Sequence, residues 1–351
     1  MSTTERIIET VIELPFVDKR IDIFLAEKFT YYSRNQWQNA IKFEKILLNG
    51  KPTRASKTLK LADKIKFLFS KKEPDINPNY QIIFEDEYCL IVNKPAMLPC
   101  HPAGIYLKNT LWYLLSQKYE HIALINRLDR ETSGLIILTK SKPATAKFAK
   151  LLSEDKIEKK YYALVHGLLE SYHAKGWLIA DENSEVSKKR LYTEEQPEEK
   201  SETAETIFNK LNDSEKYSLL DVTLKTGRMH QIRATLFSLG FPVIGDKLYG
   251  LDDNYFLKFI KNELTKEDKT NLIISRQALQ AYGLSFKHPF TNENLSLKLD
   301  LDIELQNVSD EDLDNVVLLD ESLEVPEIKN ISRIAKIAEI KEKIECELRK
   351  N

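Results

Sequence analysis

The 351-residue chain predicts an α+β fold, a mainly antiparallel sheet with flanking helices preceded by a smaller α+β module. Three observations carry that expectation. From about residue 82 onward, strand-like and helical segments are interspersed without the regular βαβ rhythm of a parallel sheet. Residues 17–72 hold 14 Lys/Arg against five Asp/Glu, whereas residues 304–327 hold nine acids and no Lys or Arg. A net charge of only −2 therefore conceals a basic front and an acidic rear. Between front and body lies KKEPDINPNYQ (71–81), with two prolines and no periodicity, which reads as a linker. The expected layout is a basic module over 14–72, a linker over 73–81 and a body over 82–303. An acidic linker over 304–326 and an amphipathic helix over 327–349 complete it.

In the front module, Ile21, Phe24, Leu25 and Phe29 recur at helical spacing. Ser33 is an N-cap candidate for a second helix carrying Trp37 and Ile41. ILLNGKP then predicts a short strand ending in a two-residue Asn49-Gly50 hairpin turn. The alternation DKIKFLF closes the unit. Lys19, Arg20, Arg34, Lys42, Lys45, Lys51 and Arg54 decorate it. Basic side chains meet phosphates without reading sequence, so the module is either a docking unit for nucleic acid or a solvated module that happens to be basic.

In the body, QIIFEDEYCLIVNK predicts two short strands around a turn, and TLWYLLSQKY an amphipathic helix. LIILT is a buried strand, KPATAKFAKLLSED a helix with Pro143 in its first turn. KIEKKYYALVHGLL is an alternating strand. SLLDVTLKTGRMHQIRATLFSLGFPVIGDKLYG reads as strand, tight turn, helix and loop. Glu194–Glu205 is a charged, low-complexity insertion expected as a surface loop or hairpin. In the tail, Ile337, Ile340, Ile344 and Leu348 share one helical stripe, which needs a partner: the body, a second copy or another protein.

Several classes are disfavoured. No apolar run reaches the roughly 18 residues of a membrane helix, and MSTTERIIETVIEL lacks the basic start and apolar core of a secretion signal. Three cysteines without CxxC spacing fit a reducing cytoplasm and no disulfide framework. Cys100 beside His101 lacks a second ligand cluster, so no metal is expected. Neither GxGxxG nor GxxxxGK[ST] occurs, so no nucleotide cofactor is expected. A cytoplasmic monomer is the resulting expectation.

The segment INRLDRETSGLIILT places one acid, Asp129, between Arg127 and Arg130 at the mouth of a buried strand. Alone it reads equally as a surface ion-pair cluster or as a carboxylate kept ionised for chemistry. Two further segments bear on the choice: KKYYALVHG, with Lys159, Tyr161 and Tyr162, and TGRMHQIR, with Arg228, His230 and Arg233. Together, tens of residues apart, the three resemble the RluA/RluC/RluD family of RNA pseudouridine synthases. VNKPAMLPCHP and LGFPVIGDKLYG match further segments of that family, and the likeness covers roughly residues 14–303. The front module resembles the RNA-binding domain first described in ribosomal protein S-four, through RIDIFLAE, SRNQWQNAIK, ILLNGK and ADKIKF. There are departures. Asn126 stands where the body family has His, Met97 where it has Gly and Met229 where it has Thr. Glu44 and Ala62 stand where the front domain usually has Gly.

The resemblance implies a pseudouridine synthase fold and the conversion of uridine to pseudouridine in structured RNA, without metal or cofactor. It implies Asp129 as the group acting at the sugar, by covalent attack or by promoting loss of a neighbouring sugar proton. Arg233 is implied as its ion-pair partner, Tyr161 against the uracil face and Ile232 on the other side. Arg127 would fill the space of a flipped nucleotide, and Arg130, Arg228 and His230 would contact RNA. A basic front module on this body resembles the ribosomal RNA enzymes, large-subunit RNA above all, more than those acting on transfer RNA. The remaining alternatives are a non-catalytic ribosome-assembly factor and a glycosidase, the latter lacking an evident second carboxylate.

Overall fold

Ser33 starts the second helix in the manner its side chain predicts. Its hydroxyl accepts the Gln36 N–H at 3.3 Å and the Gln36 side chain accepts the Ser33 N–H at 2.8 Å, a reciprocal capping box. The computed structural model describes residues 3–302 apart from 30, 31, 199, 214, 215, 253 and 262. The acidic linker and the C-terminal helix expected over 304–349 lie outside the described residues. The chain divides into two compact units: residues up to Pro78 with Leu98–Ile122, and Asn79–Met97 with the residues from Ala123 onward.

The first unit holds β1 (Thr3–Val11), α1 (Ile21–Lys28), α2 (Arg34–Lys42), β2 (Ile46–Leu48), β3 (Lys51–Pro52), β4 (Lys64–Lys72) and α3 (Leu111–Ser116). Its antiparallel sheet runs β1-β4-β2-β3. Ile21, Phe24 and Leu25 of α1 meet Trp37 and Ile41 of α2 over Ile46, Ile65 and Phe67 of the sheet. Trp37 is fully buried; its indole N–H reaches the Phe29 carbonyl at 3.2 Å, so its polar end is satisfied. Asn49 and Gly50 both take positive φ (51° and 79°), as a type I′ hairpin turn requires. Glu44 and Ala62 also sit at positive φ (54° and 65°). Both turns thus keep the left-handed backbone that glycine adopts without steric cost. The stretch expected as a linker is anchored at its start. Glu73 is buried, and its carboxylate accepts the N–H groups of Leu107, Lys108 and Asn109 at 2.7–3.0 Å.

The second unit carries β5 (Gln81–Glu85), β6 (Cys89–Lys94), β7 (Ala123–Leu124), β8 (Ser133–Thr139), α4 (Lys142–Ser153), β9 (Ile157–His166), β10 (Tyr172–Ala180) and β11 (Arg190–Thr193). There follow β12 (Glu202–Asp213), β13 (Tyr217–Leu224), α5 (Gln231–Ser238), α6 (Asn254–Lys261), α7 (Lys266–Leu272), β14 (Leu279–Lys287) and β15 (Asn294–Lys298). The strands form one 11-stranded mixed sheet in the order β11-β10-β12-β13-β9-β14-β8-β6-β5, with β15 on β14 and β7 on β8. Every pairing is antiparallel except β14 with β8. The mainly antiparallel α+β expectation is met. The charged insertion is shorter than its composition suggested: Glu202–Glu205 belong to β12 and pair with β10, Glu205 opposite Lys175. Cross-strand hydrogen bonds there override a composition that favours solvent.

The lone parallel contact matters most for the site. Ser133 and Gly134, just after the Asp129 segment, lie beside Gln280 and Ala281 of β14. Ala281 in turn pairs with Tyr161 of β9. A side chain at Gly134 would collide with the Ala281 backbone, so glycine is what lets β8 and β14 close here.

Candidate active site

Asp129 opens a turn closed by the Thr132 N–H, which donates to the Asp129 carbonyl at 3.2 Å. This turn delivers its carboxylate at the entrance to β8. Behind it, buried Lys94 donates to the carbonyls of Pro95 and Arg130 at 2.9 and 3.2 Å, so the early Lys-Pro loop holds the turn from below. Met97, in that loop, also takes a left-handed φ of 67° where the resemblance led to glycine.

Arg233, from the first turn of α5, donates through Nη1 to Asp129 Oδ2 at 2.6 Å. Its other edge forks onto Asp246, Nε at 2.5 Å and Nη2 at 2.8 Å. Asp246 is itself fixed by the N–H groups of Leu248 and Tyr249, both at 2.9 Å. The result is one arginine between two carboxylates, its planar fork allowing both contacts without rotation. Asp246 is sealed, Arg233 nearly so, while 32% of the Asp129 side chain stays open, so Asp129 is the accessible end of the triad.

Burial alone would raise the Asp129 pKa; the charge of Arg233 and hydrogen bonds from Arg233 and Gln277 outweigh it and hold the carboxyl below its ordinary range. Asp246 is likewise kept ionised against its burial by Arg233 and the two backbone N–H groups. His230 caps α5 with a φ of 56° and stands with Nε2 3.8 Å from Asp129 Oδ1. The Tyr249 hydroxyl accepts the Arg190 N–H at 2.9 Å, leaving its own hydrogen for His230 Nδ1 at 3.0 Å. That assignment puts the imidazole proton on Nε2, facing the carboxylate. Burial, with Arg233 nearby, lowers His230 to about 4, so the ring is neutral at physiological pH.

The remaining expected residues are placed as follows. Tyr161 is buried on β9, level with Ala281 of the parallel contact, and Ile232 is buried beside Arg233. Arg127 is exposed. Arg130 pairs with Glu131 at 3.1 Å and lies over the Phe259 ring at 4.5 Å, so its head is held by the fold. Arg228 is exposed and donates to the Thr203 carbonyl at 3.1 Å. In the first unit, Arg20 and Arg34 both reach the buried carboxylate of Asp22 at 2.9 and 3.0 Å, and Lys19 pairs with Glu27 at 2.6 Å. Burial would raise Asp22; the two guanidiniums and the Gln38 amide hold it down at about 2. These two arginines therefore organise the helix pair as well as presenting charge. Lys42, Lys45, Lys51 and Arg54 are exposed.

Sequence reasoning missed Asp246, Lys247 and Gln277. Asp246 and Lys247 lay inside the quoted GDKLYG segment, but nothing local marks an acid as the partner of an arginine 13 positions earlier. Lys247 pairs with Glu131 at 2.6 Å, tying the same segment to the Asp129 turn a second time. Gln277 donates to Thr132 within that turn.

One cluster among the described residues has metal-ligand types. Asp86, Cys89 and His288 bring three donor atoms within 4.8 Å of one another. His288 Nδ1, however, accepts the N–H groups of Phe290 and Thr291 at 3.4 and 3.2 Å, so Nε2 carries the proton and points it at Asp86 Oδ2, 3.1 Å away. Burial, together with Asp86, pushes the Cys89 thiol up to about 12. The three side chains are thus joined to one another and to the backbone by hydrogen bonds.

Residues 88–238 match the family model described as RNA pseudouridylate synthase. The chain is similar to ribosomal large subunit pseudouridine synthase C of Buchnera aphidicola subsp. Acyrthosiphon pisum, 30% identical over 83% of this chain and 93% of the relative. It is equally similar to ribosomal large subunit pseudouridine synthase D of Buchnera aphidicola subsp. Schizaphis graminum, 30% identical over 84% and 94%. Among solved structures, human RNA pseudouridylate synthase domain containing 1 aligns at TM-score 0.53 and 21% identity, covering 73% of this chain and all of that one. That likeness concerns the fold.

Proposed function

The chain belongs to the RluA-type family of RNA pseudouridine synthases and isomerises uridine in RNA, and from that premise we propose that Asp129 is the group that acts at the sugar. In the reaction the C1′–N1 bond breaks, the base turns, and a C1′–C5 bond forms. The C5 proton leaves and N1 takes one up. A carboxylate can hold the anomeric centre by covalent attack, or it can promote loss of the neighbouring sugar proton. The observation that carries the assignment is the half-open Asp129 carboxylate, charged and aimed by an arginine that is itself clamped from behind. Such preorganised charge is worth more in a site closed to water than in solution.

Tyr161 would lie against the uracil, and exposed Arg127 would replace the nucleotide that must leave its stack to reach the carboxylate. Lys42, Lys45, Lys51 and Arg54 would dock the first unit on RNA phosphates in the manner of the ribosomal-protein-S-four type of domain. The substrate we propose is large-subunit ribosomal RNA, on the strength of what the similar synthases C and D are named for.

Release of tritium from RNA labelled at uracil C5 tests the assignment. The RNA is taken from cells that lack the gene, so its target uridines are unmodified. Asp129→Asn is expected to release none above background while binding the RNA with nearly wild-type affinity. Residual turnover above about one hundredth of wild type, in a preparation free of the wild-type enzyme, removes Asp129 from the chemistry.

A further inference from the structure

Lys159 is a buried lysine that the site described above does not use. Only 7% of the residue is exposed, and its ammonium makes no hydrogen bond or ion pair with a described residue. It is also absent from the sealed, unsatisfied side-chain atoms, which among the described residues are the hydroxyls of Tyr80, Tyr192 and Thr235. The stem is therefore enclosed while the charged end keeps an opening. That opening lies at Gly227, where an added methyl group would come 3.3 Å from Lys159 Nζ. The next residue is Arg228.

The charges around Lys159 do not balance. Asp155 favours its charged form and Arg228 opposes it, and neither cation forms an ion pair with a described residue. Burial is the largest influence and lowers the lysine from its ordinary range. A buried cation without a counter-ion is costly, and an anion bound beside it would offset that cost. The surrounding turn is rigid. Gln231 Oε1 accepts from Thr226 Oγ1 at 2.8 Å and from the Arg228 N–H at 3.0 Å. Its Nε2 donates to the Glu205 carbonyl and to Thr206 Oγ1 at 3.0 and 2.8 Å. Arg228 Nε is pinned on the Thr203 carbonyl. Two residues further on, His230 stands 3.8 Å from the Asp129 carboxylate.

We propose that Lys159 and Arg228 form a phosphate clamp across Gly227, gripping an RNA backbone phosphodiester next to the nucleotide presented to Asp129. This rests on the reading of Asp129 as the site of reaction. Lys159 is a binding and positioning residue here, and its phosphate contact is present in ground and transition states alike, so its loss shows in KM more than in kcat.

The test uses the full chain and the C5-tritiated RNA from cells lacking the gene. Lys159→Gln is expected to raise KM about fivefold to tenfold with kcat within about twofold, the loss of one charged hydrogen-bonded contact. The slope of log affinity against log salt should fall by about 0.7–0.9, one phosphate's worth. Lys159→Arg should restore both, and adding Arg228→Gln to Lys159→Gln should lower the slope again. An unchanged slope with unchanged KM overturns the clamp, as does a loss confined to kcat. Should Lys159→Gln fail to fold, Gly227→Ala decides: narrowing the opening should raise KM, and a normal KM overturns the proposal. If Asp129→Asn turns over normally, the reading beneath has failed, and the salt slope of Lys159→Gln still decides whether the clamp holds RNA.

Discussion

Asp246 shows how a side chain sealed in the fold can set the geometry of one that is open to solvent. Arg233 offers three donors toward carboxylates, two on Asp246 and one on Asp129. Removing the Asp246 acceptors leaves a nearly sealed guanidinium free to turn, and Asp129 loses its fixed partner. Asp246→Ala is therefore expected to lower stability by about 3–5 kcal/mol, the penalty for breaking a buried pair. Asp246→Asn, which keeps size and one acceptor, should fold but lose about a hundredfold in kcat, since small misplacement of a reacting group costs that much. Single-turnover tritium release at saturating RNA, alongside RNA affinity, measures it; an unchanged rate means that Asp129 is held by other contacts. Asp129 and Arg233 could be found in sequence because each lies in a motif of its own. Asp246 could not, because its role exists only after α5 and the loop behind it have folded together.

Among the elements, those with local signals were legible. Ser33 with Gln36, the Asn49-Gly50 turn and Pro143 after Ser141 each announce a boundary through backbone preferences that act within four residues. β1 and β10 were not anticipated. TTERIIETV and YHAKGWLIA mix polar and apolar residues, and it is pairing with β4 and β12 that makes them strands. The left-handed turns at Glu44 and Ala62 belong to the same class of local rule, here broken. An L-residue in this conformation costs about 1–2 kcal/mol, partly offset by glycine's larger loss of freedom on folding, about 0.5–1 kcal/mol. Ala62→Gly and Glu44→Gly should each stabilise the protein by about 0.5–1 kcal/mol. Urea denaturation reads this directly, and destabilisation at both sites would contradict the strain.

For the whole molecule, buried histidines couple stability to pH. Burial lowers His166 to about 4, and burial with Arg233 does the same for His230. In the unfolded chain both titrate near about 6.5. As pH falls below that value the unfolded state takes up protons that the folded state refuses. The stability present above about 6.5 is therefore lost progressively until about 4, where the folded rings protonate too. The loss amounts to about 3 kcal/mol per histidine. The urea midpoint should fall between pH 7 and 4.5, and His166→Gln should flatten that dependence; a midpoint independent of pH would contradict the burial.

Arg233 follows Asp129 by 104 residues, and the strand that lies parallel to β8 comes later still. A ribosome adds about 5–20 residues per second, so the carboxylate emerges roughly 5–20 seconds before the arginine that aims it and keeps it charged once buried. Throughout that interval the growing chain sits against a particle made largely of RNA and full of uridines. On the reading of Asp129 as the reacting group, the newborn enzyme, its acid already out and its counter-charge still unmade, is disarmed by the order of its own residues.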